Sequence, residues 1–234
     1  MKTTLIATFG VLVSVTAAVQ ANPGVVYNDA TGDINPGINT AGGTLDLVSV
    51  EVSNTSTDIQ FQLTVNGNIG TTDWGKFMIG MSTGNPGTTS GNGWGRPINM
   101  SSTAGGMDFW VGSWVDGSGG AELYSYTTPT WNQLAAPGGF VRAAGAQSTI
   151  TYTLSLASLG LNNGDSFFFD AYSSGAGNGD GAIDALANPN VTITSWGGSY
   201  TSTGANIFSY TVVPAPGVLA LLGAAGLIGT RKRR

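Results

Sequence analysis

The chain has 234 residues, with 37 glycines, 9% charged residues, no cysteine and no histidine. These absences exclude disulfides, a Ser-His-Asp triad, a Cys-His pair and every His-ligated zinc site, leaving paired carboxylates as the open hydrolytic route. Of the eight bases only Lys76, Arg96 and Arg142 lie between residues 22 and 213, against all thirteen acids, so this segment carries a net −10 and is expected to repel nucleic acid.

The chain opens with Lys2, an apolar stretch Leu5–Val15 and the small-residue triplet Val19-Gln20-Ala21. That order predicts a secretory signal peptide over 1–21, cut after Ala21 by signal peptidase. The exported body, 22–212, then depends on packing or bound ions for stability.

The body begins with YNDATGDINPG, Tyr27 to Gly37. Asp29 and Asp33 lie four apart among Asn28, Asn35 and backbone carbonyls, and calcium takes six to eight such oxygens from flexible loops. The same residues are also ordinary turn formers, so spacing leaves both readings open. Asp-x-x-Gly-Asp followed by Leu45-Asp46-Leu47-Val48-Ser49-Val50-Glu51-Val52 resembles the opening of carbohydrate-binding-module-like β-sandwich modules and those of the glucodextranase C-terminal type. The resemblance implies a calcium site beside the first strand, with Asp29 and Asp33 as ligands and Asp46 as a candidate third.

Strict apolar/polar alternation marks half-buried strands around Val48, Val50 and Val52, over Ile59–Val65 and over Ile150–Leu156. Less regular strands are expected at Lys76–Met81, Asp108–Val115, Ala121–Tyr126, Asp165–Tyr172, Val191–Trp196 and Ile207–Val213, about nine in all. Leu156–Leu161 offers at most a short helical turn. This pattern predicts an all-β fold: a single antiparallel β-sandwich, jelly-roll or immunoglobulin-like, with Gly84–Gly95 and Ser173–Gly181 as long flexible loops.

Six tryptophans interrupt this polar body. Trp94 is framed by Gly91, Gly93 and Gly95, and an indole in such a loop offers a flat face to a sugar ring, so Trp94 and Trp74 are the candidate carbohydrate-binding residues. Trp110 and Trp114 share one strand face, opposite Phe109 and Val111. Asp108, Asp116 and Glu122 flank two successive strands, and nothing in their spacing sets the separation a catalytic pair needs. In GNGDGAID, Asn178, Asp180 and Asp184 alternate with glycines as calcium ligands do, without the bidentate Glu of an EF-hand, and a solvated loop is the other reading.

The chain closes with Pro214-Ala215-Pro216-Gly217, an apolar run Val218–Gly229 and the basic Arg231–Arg234. The run is short for a permanent span, and its basic flank is expected to stay cytoplasmic, which implies transient membrane insertion through a short C-terminal hydrophobic helix. Pro-x-Pro, helix and basic end, over 213–234, resemble the PEP-CTERM sorting signal, with Ala215 where that family carries Glu. The resemblance implies recognition by an exosortase-type membrane protease, removal of the tail, and a destination at the cell surface or in extracellular polysaccharide. The expectation is thus a non-enzymatic exported module that binds polysaccharide and calcium. A secreted polysaccharide-acting enzyme with paired carboxylates and a self-assembling matrix protein are the alternatives.

Overall fold

The computed structural model describes residues 22–38, 40, 43–102, 105–204 and 207–214. Fifteen strands and no helix occur among them. In chain order these are β1 (Val25–Asn28), β2 (Leu47–Asn54), β3 (Asp58–Val65), β4 (Lys76–Ser82), β5 (Ile98–Ser102), β6 (Gly105–Gly106), β7 (Phe109–Trp114) and β8 (Gly120–Thr127). Then follow β9 (Thr130–Gln133), β10 (Gly139–Ala143), β11 (Ser148–Ser155), β12 (Ser166–Ser174), β13 (Asp184–Ala185), β14 (Tyr200–Thr203) and β15 (Phe208–Thr211).

A five-stranded antiparallel sheet runs β1-β2-β3-β11-β10, and a seven-stranded one runs β13-β12-β4-β7-β8-β9 with β15 also on β12. The two share one hydrophobic core, where Val50, Val52, Phe61, Leu63, Ile150 and Tyr152 meet Phe77, Ile79, Val111, Phe167 and Phe169. The alternation read in β2, β3 and β11 has its cause here. Their inward side chains are buried, while Gln60, Gln62 and Thr64 of β3 face outward beside Thr149, Thr151 and Thr153 of β11.

The seven-stranded sheet is covered on its other side as well. Met78, Trp110 and Tyr172 on that side pack with Ile98, Met100, Met107, Ala182 and Ala185 in a second core. Strands β4, β7 and β12 are therefore buried on both faces, which is why Lys76–Ser82 and Ser166–Ser174 read as apolar runs without alternation. The covering layer includes β5, which pairs parallel with β14, a departure from the expected all-antiparallel arrangement.

Two further expectations differ. Val191–Trp196 is not a strand: Ile193 is buried, Thr192 Oγ1 donates to the carbonyls of Ala182 and Ile183, and the backbone turns at Ser195–Gly198. A strand-like V-T-I-T pattern here reflects one buried anchor and one hydroxyl tether. Gly84–Gly95 is tied rather than loose, since buried Asp108 accepts from the amides of Thr83 and Asn85, and Thr88 exchanges two backbone hydrogen bonds with Met107. Leu156–Leu161 forms a hydrogen-bonded turn, with Leu161 N donating to Leu156 O at 2.9 Å.

The described body starts and ends at one place. The Asn22 amide side chain donates to Val213 O at 3.0 Å, and Asn54, 2% exposed, donates to the same oxygen at 2.8 Å while accepting from Tyr210 Oη at 2.7 Å. Asn54→Ala strands the buried Tyr210 hydroxyl, a loss of about 1–3 kcal/mol, and removes one of two donors to Val213 O, so it should lower the thermal midpoint by roughly 5–10 °C in a melting experiment. Of the expected processing residues, Pro214 is exposed, one residue beyond this junction, while Ala21, Ala215, Pro216 and Gly217 lie outside the described residues. The expected signal peptide and C-terminal helix also lie outside them.

Candidate metal centre and aromatic cleft

Asp29 follows β1 directly, Asp33 lies in the connection to β2, and Asp184 opens β13 on the far sheet. Folding brings one carboxylate oxygen of each within 4.8 Å of the others. The 29–33 segment is held in place by Asp46, whose two oxygens accept from Gly32 N at 3.1 and 3.0 Å and which also takes the Asn66 amide at 2.9 Å. Asp184, 1% exposed, is fixed by Leu47 N at 2.7 Å and Ala185 N at 2.8 Å.

The group is short of donors. Asp29 Oδ1 accepts from Ala30 N at 2.8 Å, but Asp29 Oδ2 and both Asp33 oxygens are buried with no hydrogen-bond partner. Buried polar atoms are nearly always paired, so three bare carboxylate oxygens in one cluster are a strong anomaly. Electrostatics records the same crowding. Burial, then the charges of Asp184 and Asp33, push Asp29 up to about 9, and burial with Asp33 pushes Asp184 up to about 8. Asp33 is raised too, chiefly by burial. A divalent cation, or protons, would relieve this repulsion.

The carboxylates singled out from sequence therefore separate into different roles. Asp29 and Asp33 from the first cluster meet Asp184 from the second, across about 150 residues. Asp46 stands behind them as the clamp on Gly32. Asp180 is turned to its own loop, accepting from Gly177 N at 2.8 Å. Asp170, not picked out in the sequence, is fully buried on β12, accepts from Ala171 N, Ala187 N and Ser202 Oγ, and is pushed up to about 7 by burial. Its signal was present: a single acid within SFFFDAYSS, a strand apolar enough to be buried on both faces.

Trp94 and Trp74 lie apart. Trp74 packs edge-on to Trp196, ring centroids 6.0 Å apart, beside the main core. Trp94 lines a cleft of about 380 Å³ with Lys76, Gly93, Arg96, Trp114, Tyr124 and Asn178. Two glycines explain how the outer face of β7 and β8 accepts these rings. A Cβ at Gly112 would come within 2.4 Å of the Trp94 ring, and one at Gly120 within 2.2 Å of the Trp114 ring. Each indole thus rests on bare backbone. Glu122 Oε2 fixes the arrangement, accepting from Trp94 Nε1 at 2.8 Å and Tyr124 Oη at 2.9 Å. Gly112→Ala should unseat Trp94, costing about 1–3 kcal/mol. It should shift tryptophan fluorescence to the red and leave any response to calcium intact.

The acids weighed for catalysis are each engaged separately. Asp108 holds the 83–85 loop, Asp116 pairs with Lys76 at 2.5 Å, and Glu122 anchors the aromatics. Comparison with known proteins adds no relative: no family model, curated protein or solved structure matches the chain.

Proposed function

We propose that this chain is an exported, non-catalytic β-sandwich module of the cell surface or extracellular matrix, stabilised by calcium and binding polysaccharide. The observation that carries the reading is the convergence of Asp29, Asp33 and Asp184, with three buried oxygens lacking any donor. Calcium takes hard oxygen ligands and tolerates irregular geometry, and three carboxylates supply enough charge to offset its dehydration. Bound there, it would tie the β1–β2 connection to β13 on the other sheet, as a disulfide would in a chain that has no cysteine. Because those oxygens are inaccessible, the centre suits an ion rather than a polymer, which favours a structural role over a hydrolytic pair.

Polysaccharide binding is assigned to the Trp94 cleft, where half-buried aromatic rings and polar side chains converge. Export, exosortase processing and the surface destination follow from the two terminal signals, and the junction of Asn22 with Val213 supports a body bounded by the two cuts. The destination is tested by sequencing the termini of the protein recovered outside the cell. The expected product begins at Asn22 and ends within Pro214–Gly217. Recovery of the full-length chain in the cytoplasm would contradict the reading.

A further inference from the structure

Arg96 is one of three bases in a body of net −10, yet it is 4% exposed and lies in no ion pair; among the described residues the one ion pair is Lys76–Asp116. Burying a cation without a counter-charge is costly, and here burial lowers the guanidinium's pKa while Asp180 offsets only part of that. Its hydrogen bonds are one-sided. Nη1 uses both protons, donating to Ser174 Oγ at 2.8 Å and to Asp180 O at 3.2 Å, and the guanidinium carbon stands 5.5 Å from the centroid of the Trp94 ring. Nε and Nη2 have no acceptor among the described residues, and Arg96, though almost wholly buried, lines the cleft.

What remains is a fixed planar edge with two parallel N–H donors, the geometry that takes a carboxylate in a bidentate pair. Around it in the cleft stand Trp114, Tyr124 and Asn178, with Lys76, already paired to Asp116, at the edge of the same lining. Resting on the reading of this cleft as a glycan site, we infer that it takes an acidic sugar: a uronate carboxylate docks on the Nε/Nη2 edge of Arg96 with the sugar ring against Trp114 and Tyr124. The domain's overall negative charge would then be overcome locally by one preorganised fork, and binding should weaken as salt rises.

The test is calorimetric titration of the calcium-loaded protein with a short oligogalacturonate, with its methyl ester, and with sodium sulfate. A charge-assisted bidentate pair predicts the acid form at least about tenfold tighter than the ester, with sulfate a poor competitor. Arg96→Lys should remove most of that difference between acid and ester. The acid–ester comparison on the unaltered protein decides the matter even if the variant does not fold. Equal affinities would overturn the acidic-sugar inference while leaving the glycan site standing. Binding of neither sugar would overturn both, and sulfate competing as well as the sugar would reduce the cleft to a simple anion site.

Discussion

Adding calcium to a chelator-stripped sample at pH 7 raises the thermal midpoint by roughly 5–10 °C, and Asp33→Asn abolishes the rise. A ligand at about a hundred times its dissociation constant adds about 2.7 kcal/mol, and a domain of this size gains about 2–4 °C per kcal/mol. Asp33 is the informative position because neither of its oxygens accepts a hydrogen bond. Amide replacement there breaks no hydrogen bond to another residue, removes one carboxyl of the crowded group, and offers an N–H to a neighbouring carboxyl oxygen. The variant should therefore be more stable than the parent in chelator and less stable in calcium. Two melting curves per protein check this crossing of order. Asp184→Asn is a poorer probe, since an amide cannot accept from both Leu47 N and Ala185 N with the same two atoms.

Without calcium, stability should fall as pH rises from about 4 to about 9. Asp29 and Asp184 ordinarily titrate near 3.8, and in the fold they hold their protons to about 9 and about 8. Between those limits the folded state binds more protons than the unfolded chain, so each retained proton makes the slope negative. The limit is about 1.4 kcal/mol per pH unit per proton, reduced for Asp29 by solvent screening. The contribution is fully present below pH 3.8 and is lost as pH passes through the folded values. Calcium should flatten the profile, because the ion replaces the protons and its affinity rises as they leave. Chelated and calcium-loaded melts across pH 4–9 measure the effect. Parallel profiles in the two conditions would mean that the ion does not bind at these carboxylates.

How much of this was legible in the sequence depends on what each strand faces. Ile59–Val65 and Ile150–Leu156 announce themselves because one side meets solvent and the other the core. The doubly buried β4 and β12 carry no alternation, so their existence was readable but their second covered face was not. That face is made by β5, β14 and the segment 182–187, which are short, glycine-flanked and too irregular to register as strands. Val191–Trp196 has the right letters for a strand, yet its hydroxyl and single apolar anchor are used by a loop.

The candidate centre divides in the same way. Asp29 and Asp33 are close along the chain, where spacing leaves turn and calcium readings open and the resemblance points to calcium. Asp180 and Asp184 are equivalent by spacing, and only the turn at Gly177 separates the loop cap from the residue that reaches the cluster. Trp94 was visible from its flanking glycines. Trp114, Tyr124 and Arg96 were not, because the glycines that seat the rings lie on neighbouring strands and the cleft exists only once β7 and β8 pair.

The most direct measurement is calorimetric titration of calcium into the chelator-stripped protein at pH 7, repeated in buffers of different ionisation enthalpy. Saturable binding of one ion per chain is expected, with heat that varies with the buffer because Asp29 and Asp184 surrender protons as the ion enters, and Asp33→Asn should suppress both signals. Absence of saturable heat, or binding that releases no proton and survives in Asp33→Asn, would contradict the assignment of Asp29, Asp33 and Asp184 as a calcium centre.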